Sequence, residues 1–410
     1  VGGFIGSHLL EYLLKRNQQV IGLDNFSTGF KSNIEEVTKK FEPNYIEKNF
    51  RLIEGDIRDL STCMEASKAA DFVLHQAALG SVNRSIDDPI STNENNLNGF
   101  LNIMRASENN KVKRVVFASS SSVYGDNEKL PKTEPNIGNP LSPYAATKLM
   151  NEIYAHVFSE NYGIEYIGLR YFNVFGERQD PKGDYAAVIP LWIDSVVNGN
   201  EVFINGDGET SRDFCFIDNV VQANILSALT DNKDALNQCF NVACGSRITL
   251  NQLLSFIIDI TKKLIDLQED PKISFRDFRK GDIRHSLASI DAAIKMLTLK
   301  KNIKIVEIKK FDGKLLDEEE VRSVIGGYLV QEKSIGQSNE EEFRVVTKRK
   351  PSKGEFKNLV FLCWLGPPLF SKMLDRWQLT RSRRGSPRGS KGPFLDFMGG
   401  AFRTPKSPDR

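Results

Sequence analysis

VGGFIGSHLL, residues 1–10, places three glycines ahead of an apolar, helix-like run. Gly3 and Gly6 stand three apart, the spacing of the last two glycines in a GxxGxxG turn. In such a turn the middle glycine lets the backbone approach a pyrophosphate, and the last lets the following helix pack closely on a strand. A helix beginning near Ile5 then aims its amino terminus at the phosphates. Taken alone, the glycines also fit an ordinary glycine-rich loop. Asp24 raises their value, because it ends the next strand-like piece, QQVIGLD (18–24). A carboxylate there can accept hydrogen bonds from an adenosine ribose and repels a 2′-phosphate, which favours NAD over NADP. Asp56, at the end of FRLIEGD (50–56), is placed to meet the adenine, or else to cap the helix over IRDLSTC.

Outward from this turn, short β-branched runs alternate with longer helical ones. DFVLHQAA (71–78) and VKRVVFASS (112–120) continue the strands, and helix-like stretches lie near 6–16, 59–69 and 92–110. A helix from about Pro143 to Tyr162 and a strand, EYIGLRYF (165–172), follow. Such alternation implies βαβ units and a parallel sheet, whose ligands bind beyond the carboxyl ends of the strands. The expected class is α/β, a Rossmann-like doubly wound parallel sheet with a smaller C-terminal lobe. From 173 to about 297 the spacing turns irregular, with loops such as GERQDPKGDYAA (176–187) and NGDGETSRDF (205–214). The expected division is 1–172 for a dinucleotide-binding domain and 173–298 for a substrate lobe, some of whose segments return to the first domain. Residues 299–410 form an extension of unknown origin, lysine- and glutamate-rich at first, then basic and Gly/Ser/Pro-rich in RSRRGSPRGSKGP (381–393), and expected to be partly disordered.

Composition excludes several classes. The net charge of +2 gives no global field for nucleic acid or membrane, and neither is expected as a partner. Five cysteines without CxxC spacing and four scattered histidines argue for reduced thiols in a cytoplasmic setting and against a disulfide frame; no metal is expected. The longest apolar run, LVFLCWL (359–365), is too short to span a bilayer. No charged-then-apolar leader opens the chain.

The second informative constellation is ASSSSVYG (118–125) followed by SPYAATK (142–148). Tyr144 and Lys148 stand four apart at the start of a helix and share a face. An ammonium near a phenol, beside a positively charged nicotinamide, favours the phenolate. Tyr144 can then act as general base toward a sugar hydroxyl, which Ser120, Ser121 and Ser122 can also hydrogen-bond. A YxxxK pair by itself is more often an exposed surface pair; the serine run and the dinucleotide turn make it a catalytic candidate. His75 and Cys215 read as core residues.

With these pieces in place the sequence resembles the extended short-chain dehydrogenase/reductases, within them the NAD-dependent UDP-hexose 4-epimerases and most nearly the bacterial UDP-N-acetylglucosamine 4-epimerases. The resemblance is carried, in family order from residue 2 to about 297, by GFIGSHLLE, LDNFSTG, GDIRD, HQAALGSVNRSIDDP, NNLNGFLN, ASSSSVYGD, PLSPYAATK, LRYFNVFGERQDP, YAAVIP, INGDGETSRDF, FNVACG and RKGDIRHSLA. It implies that NAD stays bound through each cycle. Its adenosine diphosphate half would lie along Gly3, Phe4, Ile5, Gly6, Asp24, Asn25, Ser27, Thr28, Gly29, Asp56 and Ile57. Gln76, Ala77, Ala78, Asn95, Tyr144, Lys148 and Tyr171 would continue toward the nicotinamide. For a UDP-sugar it implies Ser81, Ser120, Ser121, Ser122, Tyr144, Asn173, Gln179, Ala187, Val188, Asn205, Arg212, Arg279 and Ser286. The guanidiniums of Arg212 and Arg279 suit diphosphate oxygens, though either alone also reads as a surface ion pair. A homodimer packed through the helices near 92–110 and 142–162 is implied as well.

Dehydratases related to this family carry an Asp-Glu pair just before VYG, and decarboxylases a Glu. Ser121 and Ser122 hold those positions here and cannot do that acid–base work, so epimerisation is expected over dehydration. Ser286 stands where hexose-only relatives carry a bulky tyrosine, and Gly80 beside Ser81 matches the acetamido-preferring pattern, which together imply room for an N-acetyl group. Ser286 also reads as a helix cap, and UDP-glucose/UDP-galactose exchange is the alternative. The family carries a strand ahead of GFIG, where this sequence has Val1 and Gly2, and its closing helix is not recognisable after 297. An inactive fragment with a binding role is therefore the rival to the enzyme.

Overall fold

The computed structural model describes residues 1–182, 186–265, 267, 269–279 and 282–297. The expected extension at 299–410 lies outside the described residues. Four strands form one parallel sheet in the order Gln238–Val242, Glu165–Tyr171, Arg114–Ser120, Phe72–His75. Val20–Asp24 and Phe50–Glu54 form a second parallel pair.

Strand alternation assigns the helices to two faces. In Arg114–Ser120 every residue is buried, as in a strand covered on both sides. Val116, with Ile167 and Leu169 of the neighbouring strand, packs on Leu9 of the Phe4–Leu14 helix and on Val220 and Val221 of Ile217–Leu229. Val115 and Phe117 face the other way, onto Phe100 and Met104 of Gly99–Asn109 and Ala155 of Pro143–Tyr162. Gly168 permits this close packing: a Cβ there would stand 2.6 Å from Cys239 Sγ and 2.9 Å from the Phe117 ring. The doubly wound α/β expectation is met.

Among the described residues, Val20–Asp24 and Phe72–His75 each end their sheet piece and do not pair with one another. Their edges lack the burial seen at the centre; Ile21 is 37% exposed.

Residues 173–297 are more regular than their sequence suggested. Helices Val188–Val197, Ile217–Leu229 and Leu250–Leu264 occupy much of the segment. A separate core forms where Trp192 and Ile193 meet Val202, Ile204, Leu253, Leu254 and Ile257. Leu250–Leu264 begins with a capping box, Thr249 and Gln252 each satisfying the other's backbone N–H.

The parallel strands point their carboxyl ends the same way. That common end gathers Gln76 and Ala78, then Ser120 to Ser122, then Tyr171 and Asn173. Among the described residues no helix is long and apolar enough to cross a membrane, and no group of His, Cys, Asp or Glu could hold a metal ion.

Candidate active site

A cavity of about 540 Å³ opens at the carboxyl ends of the strands. The Pro143–Tyr162 helix contributes Tyr144, Ala145 and Lys148 to its wall. Ser142 caps that helix, its Oγ accepting the Ala145 N–H at 3.1 Å, and Pro143 follows at the first helical position, where no N–H is needed. Gly163, at φ +71°, ends it in the left-handed region. This frame places Tyr144 in the first turn and Lys148 one turn later, both lining the cavity.

Lys148 is 2% exposed, and its Nζ donates to the Ala118 carbonyl at 2.7 Å. The ammonium lies 5.8 Å from the Tyr144 ring centre. Burial lowers the Lys148 pKa to about 8 against an upward pull from Glu152. Burial also raises the Tyr144 phenol, which a hydrogen bond with Ser120 partly offsets. The Ser120 hydroxyl accepts from Ser122 Oγ at 2.9 Å and from the Ser122 N–H at 3.1 Å. The two anticipated elements, the serine run and the Tyr144–Lys148 pair, therefore meet in space. An ammonium near a phenol can favour the phenolate, and a phenolate can take a hydroxyl proton, so the arrangement is chemically suited to general-base work.

Beside them Tyr171, Gln76 and Asn224 form a closed triangle. Tyr171 donates to Gln76 Oε1 at 3.0 Å, Gln76 Nε2 donates to Asn224 Oδ1 at 2.8 Å, and Asn224 Nδ2 donates to the Tyr171 oxygen at 2.8 Å. The network fixes the floor of the cavity, and burial holds the Tyr171 phenol protonated. Phe4, Ile5, Ala78, Gly80 and Ser81 line the same space.

The cavity is also lined by Arg212, Ser286, Asn173 and Gln179. Arg212 pairs with Asp282 at 3.3 Å. Asn173 donates to the Asp213 carbonyl at 2.9 Å. Ser286 caps no helix; its N–H donates to the Ser211 carbonyl at 3.0 Å, and it is 9% exposed. Asp213, buried and unanticipated, accepts N–H bonds from Cys244, Gly245 and Ala288. Burial raises its pKa to about 6. It ties the segment bearing Arg212 to the one bearing Ser286.

Other anticipated residues lie away from this cavity lining. Asn205 and Arg279 stand together: with its amide oxygen turned toward the guanidinium, Asn205 accepts from Nε at 3.1 Å and NH2 at 3.2 Å. Ala187 and Val188 begin the Val188–Val197 helix as its cap and first residue. Ala77 is exposed beside Gln76, and Asn95 donates to the Ser91 carbonyl at 2.8 Å.

The remaining residues cluster at the ends of Val20–Asp24 and Phe50–Glu54. Asp24 Oδ2 accepts from the Gly2 N–H at 2.8 Å, and its Oδ1 accepts from the Phe26 N–H at 2.8 Å. Asn25 donates to Asp56 at 2.9 Å. Asp56 mainly holds Arg58, whose hydrogen bonds lower its pKa to about 2; Asp59, not Asp56, caps the next helix. Ile57 packs on Cys63 and Ile103. Ser27 and Thr28 are exposed. Gly29 lies so close to the opening turn that a Cβ would stand 2.9 Å from the Gly2 carbonyl carbon.

The residues fit a dinucleotide. The Phe4–Leu14 helix has no side-chain cap, because Gly3 offers none, so its first N–H groups are available to an anion. Gly3 itself borders open space, while a Cβ on Gly6 would stand 3.0 Å from Val1 Cα. His75 and Cys215 are buried, as core residues should be. Lys132, Asp282, His285 and Ser142 line the cavity without having been anticipated. Only Ser142 had a local signal, as the cap of SPYAATK; Lys132 reaches the site through its bridge to Ala288, a pairing that sequence spacing does not reveal.

Residues 1–243 match the NAD dependent epimerase/dehydratase family. A shorter match, to the AICARFT/IMPCHase bienzyme, covers residues 287–365. A putative UDP-glucose 4-epimerase of Methanocaldococcus jannaschii is 37% identical over 257 residues, 62% of this chain and 78% of that protein. Among solved structures, the UDP-N-acetylglucosamine 4-epimerase of Methanobrevibacter ruminantium M1, in complex with UDP-N-acetylmuramic acid, is 38% identical. It superposes with a TM-score of 0.69 over 80% of this chain and 96% of its own. The Thermus thermophilus UDP-glucose 4-epimerase in complex with NAD is 28% identical, with a TM-score of 0.66, over 80% and 96%.

Proposed function

We propose, for a chain that belongs to the NAD dependent epimerase/dehydratase family, that its cavity interconverts UDP-N-acetylglucosamine and UDP-N-acetylgalactosamine at C4. The observation that carries this reading is the meeting of Ser120 to Ser122 with Tyr144 and Lys148 at the mouth of the parallel strands. NAD, held along Gly3 to Gly6 and Asp24, would supply the hydride acceptor and donor for C4. Tyr144 takes the proton of the 4-hydroxyl as that hydroxyl becomes a ketone, and gives it back on re-reduction. Lys148 holds the charge that favours the phenolate, and Ser120 orients the phenol. Ser121 and Ser122 offer hydroxyls without a carboxylate, so nothing at these positions abstracts a proton from the ring carbons or expels water. The keto sugar is left to turn over and be reduced on its other face.

Arg212 faces the diphosphate, releasing Asp282 as the phosphate oxygens arrive. Gly3 to Gly6 and Asp24 receive the adenosine half of NAD, and residues 173–298 serve as the substrate lobe. The small side chains of Gly80, Ser81 and Ser286 along the cavity leave space for a C2 acetamido group. A second copy of the chain covers the apolar stripe of Pro143–Tyr162, where Met150, Ile153 and Val157 are 41%, 49% and 42% exposed and Ile90 lies 71% exposed on an earlier helix. An aqueous surface rarely leaves so many large apolar side chains in a row.

Competition decides the substrate. With equal UDP-N-acetylglucosamine and UDP-glucose and added NAD, chromatography of the products is expected to show the N-acetylated epimer formed at least about tenfold faster. Faster formation of UDP-galactose would overturn the acetamido assignment and leave the UDP-glucose alternative.

A further inference from the structure

The hydrogen bonds behind the Tyr144–Lys148 face converge on a carboxylate that none of these steps uses. Residues 144, 148 and 152 of the Pro143–Tyr162 helix are spaced one turn apart and share a face. Glu152 is 8% exposed, and both its oxygens hold the guanidinium of Arg170: Nε donates to Oε1 at 2.9 Å and NH2 to Oε2 at 2.7 Å. Oε1 also accepts from the hydroxyl of Ser119, the residue before Ser120. Ser119 and Arg170 are register partners on adjacent strands. Arg170 is itself fixed, NH1 donating to the Tyr124 hydroxyl at 3.1 Å and the Glu134 carbonyl at 2.8 Å.

One carboxylate thus ties the helix bearing Tyr144 and Lys148 to the strand that runs into Ser120 to Ser122. A buried ion pair adds little net stability over apolar side chains of the same volume, because desolvation offsets most of the attraction. Alignment and local charge are what this one supplies.

We propose that Glu152 is a positioning residue for the epimerase reaction. Clamped by Arg170, it sets the Ser120–Ser122 segment against Tyr144 and keeps a fixed negative charge behind the Lys148 ammonium. The inference rests on the roles given above to Tyr144 and Lys148. The titratable groups facing this region are Tyr144 and Glu152 on the helix, His75 from Phe72–His75, Arg170, Tyr166 and Cys239 from the neighbouring strands, and Tyr124, whose hydroxyl Arg170 holds; burial keeps both Tyr166 and Tyr124 protonated. Burial keeps His75 neutral and Cys239 a thiol. Glu152 is therefore the standing anion near Lys148, and its charge raises the lysine's pKa against burial.

The test compares the full-length chain with Glu152→Gln and Glu152→Asp, each loaded with NAD. Glu152→Gln is expected to lower kcat about tenfold or more with KM for the UDP-sugar within about twofold, and to move the alkaline limb of the kcat–pH profile down by about one unit. Glu152→Asp keeps the charge but shortens its reach, so kcat falls while the alkaline limb stays put. Wild-type kcat and an unmoved limb in Glu152→Gln would overturn the proposal. If that variant fails to fold, Glu152→Asp decides: a lowered kcat with an unmoved limb supports it, and a wild-type kcat overturns it. A carbon-13 NMR titration of labelled lysines, with Lys148→Met assigning the resonance, separates this inference from the activity reading. A Lys148 pKa about one unit lower in Glu152→Gln supports it, and an unchanged value overturns it, whether or not the chain epimerises a sugar.

Discussion

Replacing Lys148 by methionine should make the protein more stable while abolishing its chemistry. The ammonium is 2% exposed, and burial holds its pKa at about 8 against an ordinary 10.5. At about 1.36 kcal/mol per pKa unit, keeping the charge inside costs the folded state about 3 kcal/mol at pH 7. Methionine has similar length and no charge to desolvate. It leaves the Ala118 carbonyl without the 2.7 Å bond from Nζ, a loss of about 1–2 kcal/mol. The expected net gain is about 1–2 kcal/mol, a rise in Tm of a few degrees.

The sign of the pH dependence isolates the cause. Below pH 8 the lysine is protonated in both states and the cost is constant. Between pH 8 and 10.5 the folded protein sheds the proton while the unfolded chain keeps it, so the wild type gains stability as pH rises. The advantage of Lys148→Met should hold below pH 8, be used up by about pH 9.5 and reverse by about pH 10.5, where the wild type has regained the burial cost and the variant still lacks the Ala118 bond. Urea unfolding followed by intrinsic fluorescence, from about pH 6.5 to about pH 10.5, reads both curves. A variant less stable than wild type at neutral pH, or a difference that stays flat through the alkaline range, would refute the reasoning.

Three further outcomes follow from the site. Tyr144→Phe removes the proton acceptor and should lower kcat by about 10²- to 10⁴-fold with little change in KM, measured by steady-state conversion of the UDP-sugar. Arg212→Ala should weaken binding of UDP, read by calorimetry, by about 10- to 100-fold, the scale of a charge-assisted bond; unchanged affinity would remove Arg212 from the diphosphate site. Ile153→Glu, at a position 49% exposed on the apolar stripe, should shift the sedimentation of the protein from dimer to monomer without unfolding it.

Much of the sheet and half of the site were legible because their signals are local. Within Arg114–Ser120, residues 115–118 form an unbroken apolar run, because helices cover both faces of that strand. The Pro143–Tyr162 helix announces itself by Ser142–Pro143 before it and Gly163 after it. Tyr144 and Lys148 need only one turn of helix to share a face. The segment after 172 was harder. Ile217–Leu229 buries residues almost all round, including Asn224 and Ser227, so it lacks the contrast of an amphipathic helix. Leu250–Leu264 does carry a stripe, Leu253, Leu254, Ile257 and Ile260, and its capping box was there to be read. Asp213 and Glu152 escaped notice because their partners are far away in the chain: backbone groups at 244, 245 and 288 for one, Ser119 and Arg170 for the other. The hold of the Gly2 N–H on Asp24 is likewise a tertiary contact that spacing does not encode.

The most direct test follows an isotope at the reacting carbon. The NAD-supplied chain is incubated with UDP-N-acetylglucosamine carrying deuterium at C4, and the products are read by mass spectrometry and proton NMR. The expected result is UDP-N-acetylgalactosamine with the deuterium still on C4 and no net accumulation of NADH. Absence of the C4 epimer, or an epimer whose C4 deuterium has been replaced from solvent, would contradict an enzyme that lifts a hydride from that carbon and sets it back.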